Sequence, residues 1–242
     1  MYKLTEFATL SKKNTYRLPP GVLQTLHALC ASIHAEPIFE FSQEVKQTRQ
    51  DVIRELNKIT ENSSFVPFLS ILNDENVGEF SEDIFTILTS NAYLMPIYCK
   101  LFSELKRKYP LFVEVFQTKT DVYTSSFHAM RFGDPSDYDT FCKINQENQT
   151  RKLYSSFIAE MDRVEKTQCA EGISTFILGY MESLLKTNQK DIVYECIEHI
   201  SMLSKYTLYH KEKIEAYCEL NPKDVPGIHN KFIFTCMDIL KL

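Results

Sequence analysis

Apolar residues recur at intervals of three and four in three stretches of this chain, and almost no glycine interrupts them. Val52, Ile53, Leu56 and Ile59 form one stripe. Leu153, Tyr154, Phe157, Ile158, Met161 and Val164 form a second, and Ile192, Val193, Cys196, Ile197, Ile200 and Leu203 a third. That spacing puts each set along one side of an α-helix. Only six glycines occur in 242 residues. Turn-rich β folds and glycine-cradled nucleotide sites need more, in clusters. Neither GxGxxG nor GxxxxGK is present. The pattern predicts an all-α chain of roughly ten helices, each about ten to eighteen residues long, joined by short turns.

Breaks are expected at Pro19-Pro20-Gly21, Glu61-Asn62-Ser63-Ser64, Asn73-Asp74-Glu75-Asn76, Gly133-Asp134-Pro135, Lys186 to Gln189, and Asn221-Pro222. Ser81, followed by Glu82 and Asp83, is expected to open a helix through Ile84 and Leu88. Ser136 with Asp137 is expected to open another through Phe141 and Ile144. Residues 145–150, "NQENQT", read as a polar connection before a helix at Arg151. Residues 1–20 are polar, contain Ser11-Lys12-Lys13-Asn14 and end in Pro19-Pro20. They read as an extended arm ahead of one domain over 21–242. Helical hairpins stacked in series would make an α-solenoid, and periodicity alone equally allows an irregular bundle.

Charge and cysteine usage narrow the function. A net charge of −5 excludes a global basic field for nucleic acid, so any RNA contact needs a local patch. No apolar run approaches a membrane span, and "MYKLTEFATLSKKN" offers none for a signal peptide. A cytoplasmic protein is expected. Seven scattered cysteines read as buried thiols of a reducing compartment, and paired zinc spacings are absent. The sequons at Asn62 and Asn148 read as chance matches.

Catalytic constellations are hard to find. No HExxH occurs. Asp137/Asp139 and Glu160/Asp162 are i, i+2 pairs whose side chains diverge on a helix, so both read as solvated faces. Cys196 and His199, at i, i+3, read as core and rim. No catalytic residue, metal ligand or cofactor is expected. Lys106, Arg107 and Lys108 read first as cations at a helix C-terminus, and second as a weak RNA-binding cluster.

Three segments, in order, resemble the middle domain of the eukaryotic translation initiation scaffold, initiation factor 4 gamma. Leu56-Asn57-Lys58-Ile59-Thr60 is similar to the family's Leu-Asn-Lys-Leu-Thr. Ile97-Tyr98-Cys99-Lys100-Leu101-Phe102 keeps the Tyr and Leu of its Met-Tyr-Ala-x-Leu-Cys helix. Arg151-Lys152, followed by Phe157-Ile158-Ala159-Glu160-Met161, is similar to its paired basic residues before Phe-Ile-Gly/Ala-Glu-Leu. Ser90, Asn91 and Ala92 stand where the family carries Asp-Glu-Pro, and Leu94 stands at its aromatic position.

The resemblance implies an α-solenoid of HEAT-like hairpins and a non-enzymatic scaffold. Such a scaffold binds and stimulates a DEAD-box RNA helicase of the initiation factor 4A type. Asn57, Lys58, Arg151 and Lys152 become candidate helicase contacts. The arm is similar to the family's hook for a cap-binding protein of the initiation factor 4E type, with Tyr2, Leu4, Phe7 and Leu10 as its candidates. Phe7 replaces the hook's leucine, and an arm that packs on the domain is the other reading. Other middle-domain adaptors, in mRNA decay or poly(A)-binding-protein contact, and structural helical-repeat subunits share the pattern.

Overall fold

The computed structural model describes residues 48–134 and 136–241, together with Val22, Gln24 and Thr25. The chain divides into two units, residues 1–46 and 47–242. The arm, with Tyr2, Leu4, Phe7 and Leu10, lies outside the described residues, as does Cys30. Among the described residues of the second unit there are ten α-helices and no strand.

The helices are α1 (Arg49–Leu56), α2 (Val66–Ser70), α3 (Val77–Ser90), α4 (Met95–Lys108), α5 (Leu111–Ser125), α6 (Tyr138–Glu165), α7 (Cys169–Leu184), α8 (Lys190–Leu203), α9 (Lys211–Cys218) and α10 (Asn230–Ile239). A 3₁₀ turn, Ser126–Ala129, follows α5. Local chemistry sets several ends. Thr48 caps α1 in a reciprocal capping box with Asp51. Proline in the first turn pre-sets φ for α2 and α4. Asp137 caps α6 by accepting the Thr140 N–H at 3.3 Å. Left-handed Lys166, at φ 56°, ends α6.

Two expectations about boundaries change. The third helix opens at Val77, not at Ser81. Ser81 lies in its second turn, buried, with its hydroxyl on the Gly78 carbonyl at 3.2 Å. The polar run 145–150 is no connection but the middle of the 28-residue helix α6. Ile144 and Asn148 are both buried there, one turn apart. Asn148 is tolerated because its amide donates to the Arg131 carbonyl at 3.4 Å and its oxygen accepts from Arg151 at 2.6 Å. No glycine or proline stops the helix, so tertiary partners outweigh weak propensity.

The packing is ordered. Helices α4, α6, α8 and α10 pack in succession, and α3 packs on α5 and α5 on α7. Sequence neighbours α3–α4, α7–α8 and α9–α10 pair as hairpins. The first half closes over edge-to-face aromatics, with Phe102 5.4 Å from Phe85, 5.8 Å from Phe112 and 5.5 Å from Phe157 between ring centres. The second half closes over the Val193, Cys196, Ile197 and Ile200 stripe of α8, met by Ile177 and Met181 of α7 and Phe232 and Cys236 of α10. Phe157, Ile158 and Met161 of the second stripe are buried as expected, and Leu153 is half-buried.

Candidate functional site

Two arrangements of polar residues stand out. The first lies inside the protein, where α5, α6 and α8 meet. The Tyr123 hydroxyl is 2.6 Å from Ser155 Oγ, and Ser155 Oγ is 2.6 Å from His199 Nδ1. On the far side of the ring, His199 Nε2 faces Glu195 Oε1 at 3.8 Å, and neither atom has a hydrogen-bond partner among the described residues. The Nε2–H tautomer puts a donor opposite that unpaired oxygen. It leaves Nδ1 to accept from Ser155, which accepts from Tyr123. Glu195 Oε2 is held by Lys152 at 3.1 Å, and Lys152 also binds Glu198 at 2.6 Å.

Burial dominates the electrostatics. It drives the His199 pKa down to about 3, helped by the charges of Arg151 and Lys152. Burial also raises Glu195 above the usual carboxylate range, against the opposing pull of Lys152. Lys152 itself is raised: burial lowers it, but the Glu198 hydrogen bond and the Glu195 charge outweigh that. The pair is asymmetric because Glu195 is buried and repelled by Glu198, while Lys152 keeps some solvent and has two carboxylates.

Hydroxyl, imidazole and carboxylate in line are the parts of a nucleophile and its base. Here Ser155 and His199 are both fully buried, and Tyr123 occupies the approach to the hydroxyl. The arrangement pins three helices together. Cys196, the other expected neighbour of His199, is a core thiol that burial pushes up to about 12. Cys99 and Cys236 are buried too, Cys169 and Cys218 are half-buried, and Cys142 is exposed. No group of side chains that could hold a metal ion occurs among the described residues.

The second arrangement follows from helix direction. The C-terminal ends of α4 and α6 lie together, because Lys106 pairs with Glu165 at 2.7 Å. The C-terminal end of α6 also meets the turn after α8, where Tyr206 donates to Glu160 and its ring lies under Arg163 and Lys205 at 5.5 and 4.9 Å. These contacts bring Lys106 beside the end of α6, and Arg163 and Lys205 together on the Tyr206 ring, with Arg107 and Lys108 following Lys106 at the end of α4. Each is partly engaged: Arg107 with Glu104, and Lys108 with the Leu69 carbonyl at 3.0 Å.

Glu160 and Asp162 are not solvated, contrary to expectation; both are buried. Burial raises Glu160, but hydrogen bonds from Arg163 and Tyr206 outweigh it and hold the group below the usual carboxylate range. Asp162 accepts the backbone N–H of Cys169 at 3.1 Å and of Ala170 at 2.7 Å. It caps the N-terminus of α7 from the preceding helix, where a carboxylate is favoured.

The expected contact residues separate into two kinds. Asn57 ends α1 and is exposed, and Lys58 is exposed with a 2.6 Å pair to Glu55. Arg151 and Lys152 are drawn into the buried network; Arg151 binds Ser126 at 3.1 Å as well as Asn148. Tyr123, Ser155 and Glu195 were not singled out by the sequence. The available signal was Glu195 and His199 at i, i+4 within the apolar stripe of α8. Among the described residues no helix is long and apolar enough to cross a membrane.

Comparison of the chain with protein-family models, curated proteins and solved structures returns no match.

Proposed function

We propose that this chain is an α-solenoid of HEAT-like hairpins that serves as a non-enzymatic, cytoplasmic scaffold in translation initiation, binding and stimulating a DEAD-box RNA helicase. One observation carries the reading: α4, α6, α8 and α10 pack in succession behind α3, α5 and α7. A stack of this kind holds separated contact points at fixed spacing. Two mobile lobes can then be favoured in one arrangement, provided the scaffold binds that arrangement more tightly.

The segment that resembles the family also has its polar pair outward. Leu56 and Ile59 are buried, while Asn57 and Lys58 face solvent between them. The Lys58–Glu55 pair is a surface pair worth about 1 kcal/mol or less, so a partner can recruit it cheaply. Arg151 and Lys152 support the fold in this reading rather than the contact. The arm's Tyr2, Leu4, Phe7 and Leu10 remain the candidate hook for a cap-binding protein.

The test is the RNA-dependent ATPase rate of a DEAD-box helicase from the same source, with and without the full chain. The rate should rise. Asn57→Ala combined with Lys58→Glu should lower the stimulation and leave Tm unchanged. No binding and no change in rate would remove the helicase reading.

A further inference from the structure

We propose that the groove between α2, α4 and the end of α6 docks a peptide carrying an acidic residue beside a large apolar side chain. The proposal does not rest on the helicase reading. The groove has a volume of about 460 Å³ and is walled by Phe65, Val66, Leu69 and Val164. Val66 is 68% exposed and stands beside half-buried Phe65 and Leu69, so apolar surface lines the groove and would be covered by an apolar side chain. Val66 and Leu69 come from short α2, Phe65 from its N-cap and Val164 from the end of α6, and Ser103 with Glu104 of α4 completes the lining.

Charge selects the occupant. Lys100 lines the groove, is exposed and forms no ion pair among the described residues. Lys108 holds the rim by donating to the Leu69 carbonyl at 3.0 Å. Among the described lining residues the carboxylate is Glu104, which Arg107 engages. The local sign is therefore positive in a chain whose net charge is −5. Apolar walls with an exposed cation, Lys100, at the lip fit an apolar anchor flanked by Asp or Glu. RNA could use the cations and the Phe65 ring but would leave Val66, Leu69 and Val164 uncovered, since it binds protein through phosphate contacts and aromatic stacking.

The experiment selects short random peptides displayed on phage against the full-length chain. Fluorescence anisotropy then measures the most enriched peptide, synthesised with a label, and a labelled oligouridylate. Enriched sequences should place Asp or Glu next to Leu, Ile, Phe or Met. Val66→Glu and Lys100→Glu should each weaken that peptide at least about tenfold. Both positions are exposed, so Tm should not move, and Lys100→Arg should keep most of the binding. The proposal is overturned by an absence of enrichment, by enriched peptides lacking acidic residues, or by affinities indifferent to both substitutions. Oligouridylate binding lost in Lys100→Glu, without peptide enrichment, would assign the groove to RNA and overturn it equally.

Discussion

His199 Nε2 and Glu195 Oε1 face each other across 3.8 Å inside the protein, each without a hydrogen-bond partner among the described residues. They lie one helical turn apart on α8 and are held from both ends, by Ser155 on the ring and Lys152 on the carboxylate. Neither can change its protonation state without disturbing three helices.

Acid should therefore destabilise the fold earlier than carboxylate titration alone predicts. The folded His199 pKa of about 3 lies below the ordinary 6.5 of the unfolded chain. Between those values the unfolded chain binds a proton that the native state refuses. The contribution is complete above pH 6.5 and is lost as pH falls toward 3, at up to about 1.4 kcal/mol per unit. Glu195 acts oppositely: its raised pKa gives stability present below 4.5 that is lost as pH rises through the folded value. In urea titrations at a series of pH values, His199→Gln should lower stability at pH 7 but flatten the acid slope. Glu195→Gln should remove the loss of stability that sets in as pH rises above 4.5.

Phe157→Ala should cost about 3–5 kcal/mol. The ring is fully buried and touches Phe85, Phe102, Phe116 and Tyr154, so four helices lose contacts at once. A urea midpoint matching wild type would show that α6 does not carry the core in solution.

Asp162→Asn should cost about 1–3 kcal/mol, because it keeps the shape of the cap and removes its charge. Hydrogen exchange gives the sharper readout. The amides of Cys169 and Ala170 should lose protection while those of α5 keep theirs.

Lys152→Met should cost about 2 kcal/mol, less than for a fully buried pair because Lys152 keeps some solvent. It strands Glu195 and Glu198 together. A second substitution, Glu195→Gln, should recover part of the loss. A double-mutant cycle with no coupling would separate the two residues energetically.

Residue spacing was enough to place most of the helices. The stripes of α6 and α8 lie where their three-and-four periodicity put them, that of α1 holds only to Leu56 with Ile59 buried beyond the helix end, and the turns at 61–64, 73–76 and 186–189 separate helices as read. Periodicity is a local property: it fixes which side of a helix is apolar whatever that side meets. Polar residues carry no such instruction. Asn148, Glu160 and Asp162 read as solvent-facing, yet all three are buried. Their partners are Arg131 and Arg151, Tyr206 and Arg163, and the amides at the start of α7. Ser155 reaches Tyr123 and His199 across 32 and 44 residues of chain. A polar group enters a low-dielectric interior only when such a partner arrives to replace water. Local spacing set the apolar sides of the helices; which polar groups left water was decided only when α5, α6, α7 and α8 came together.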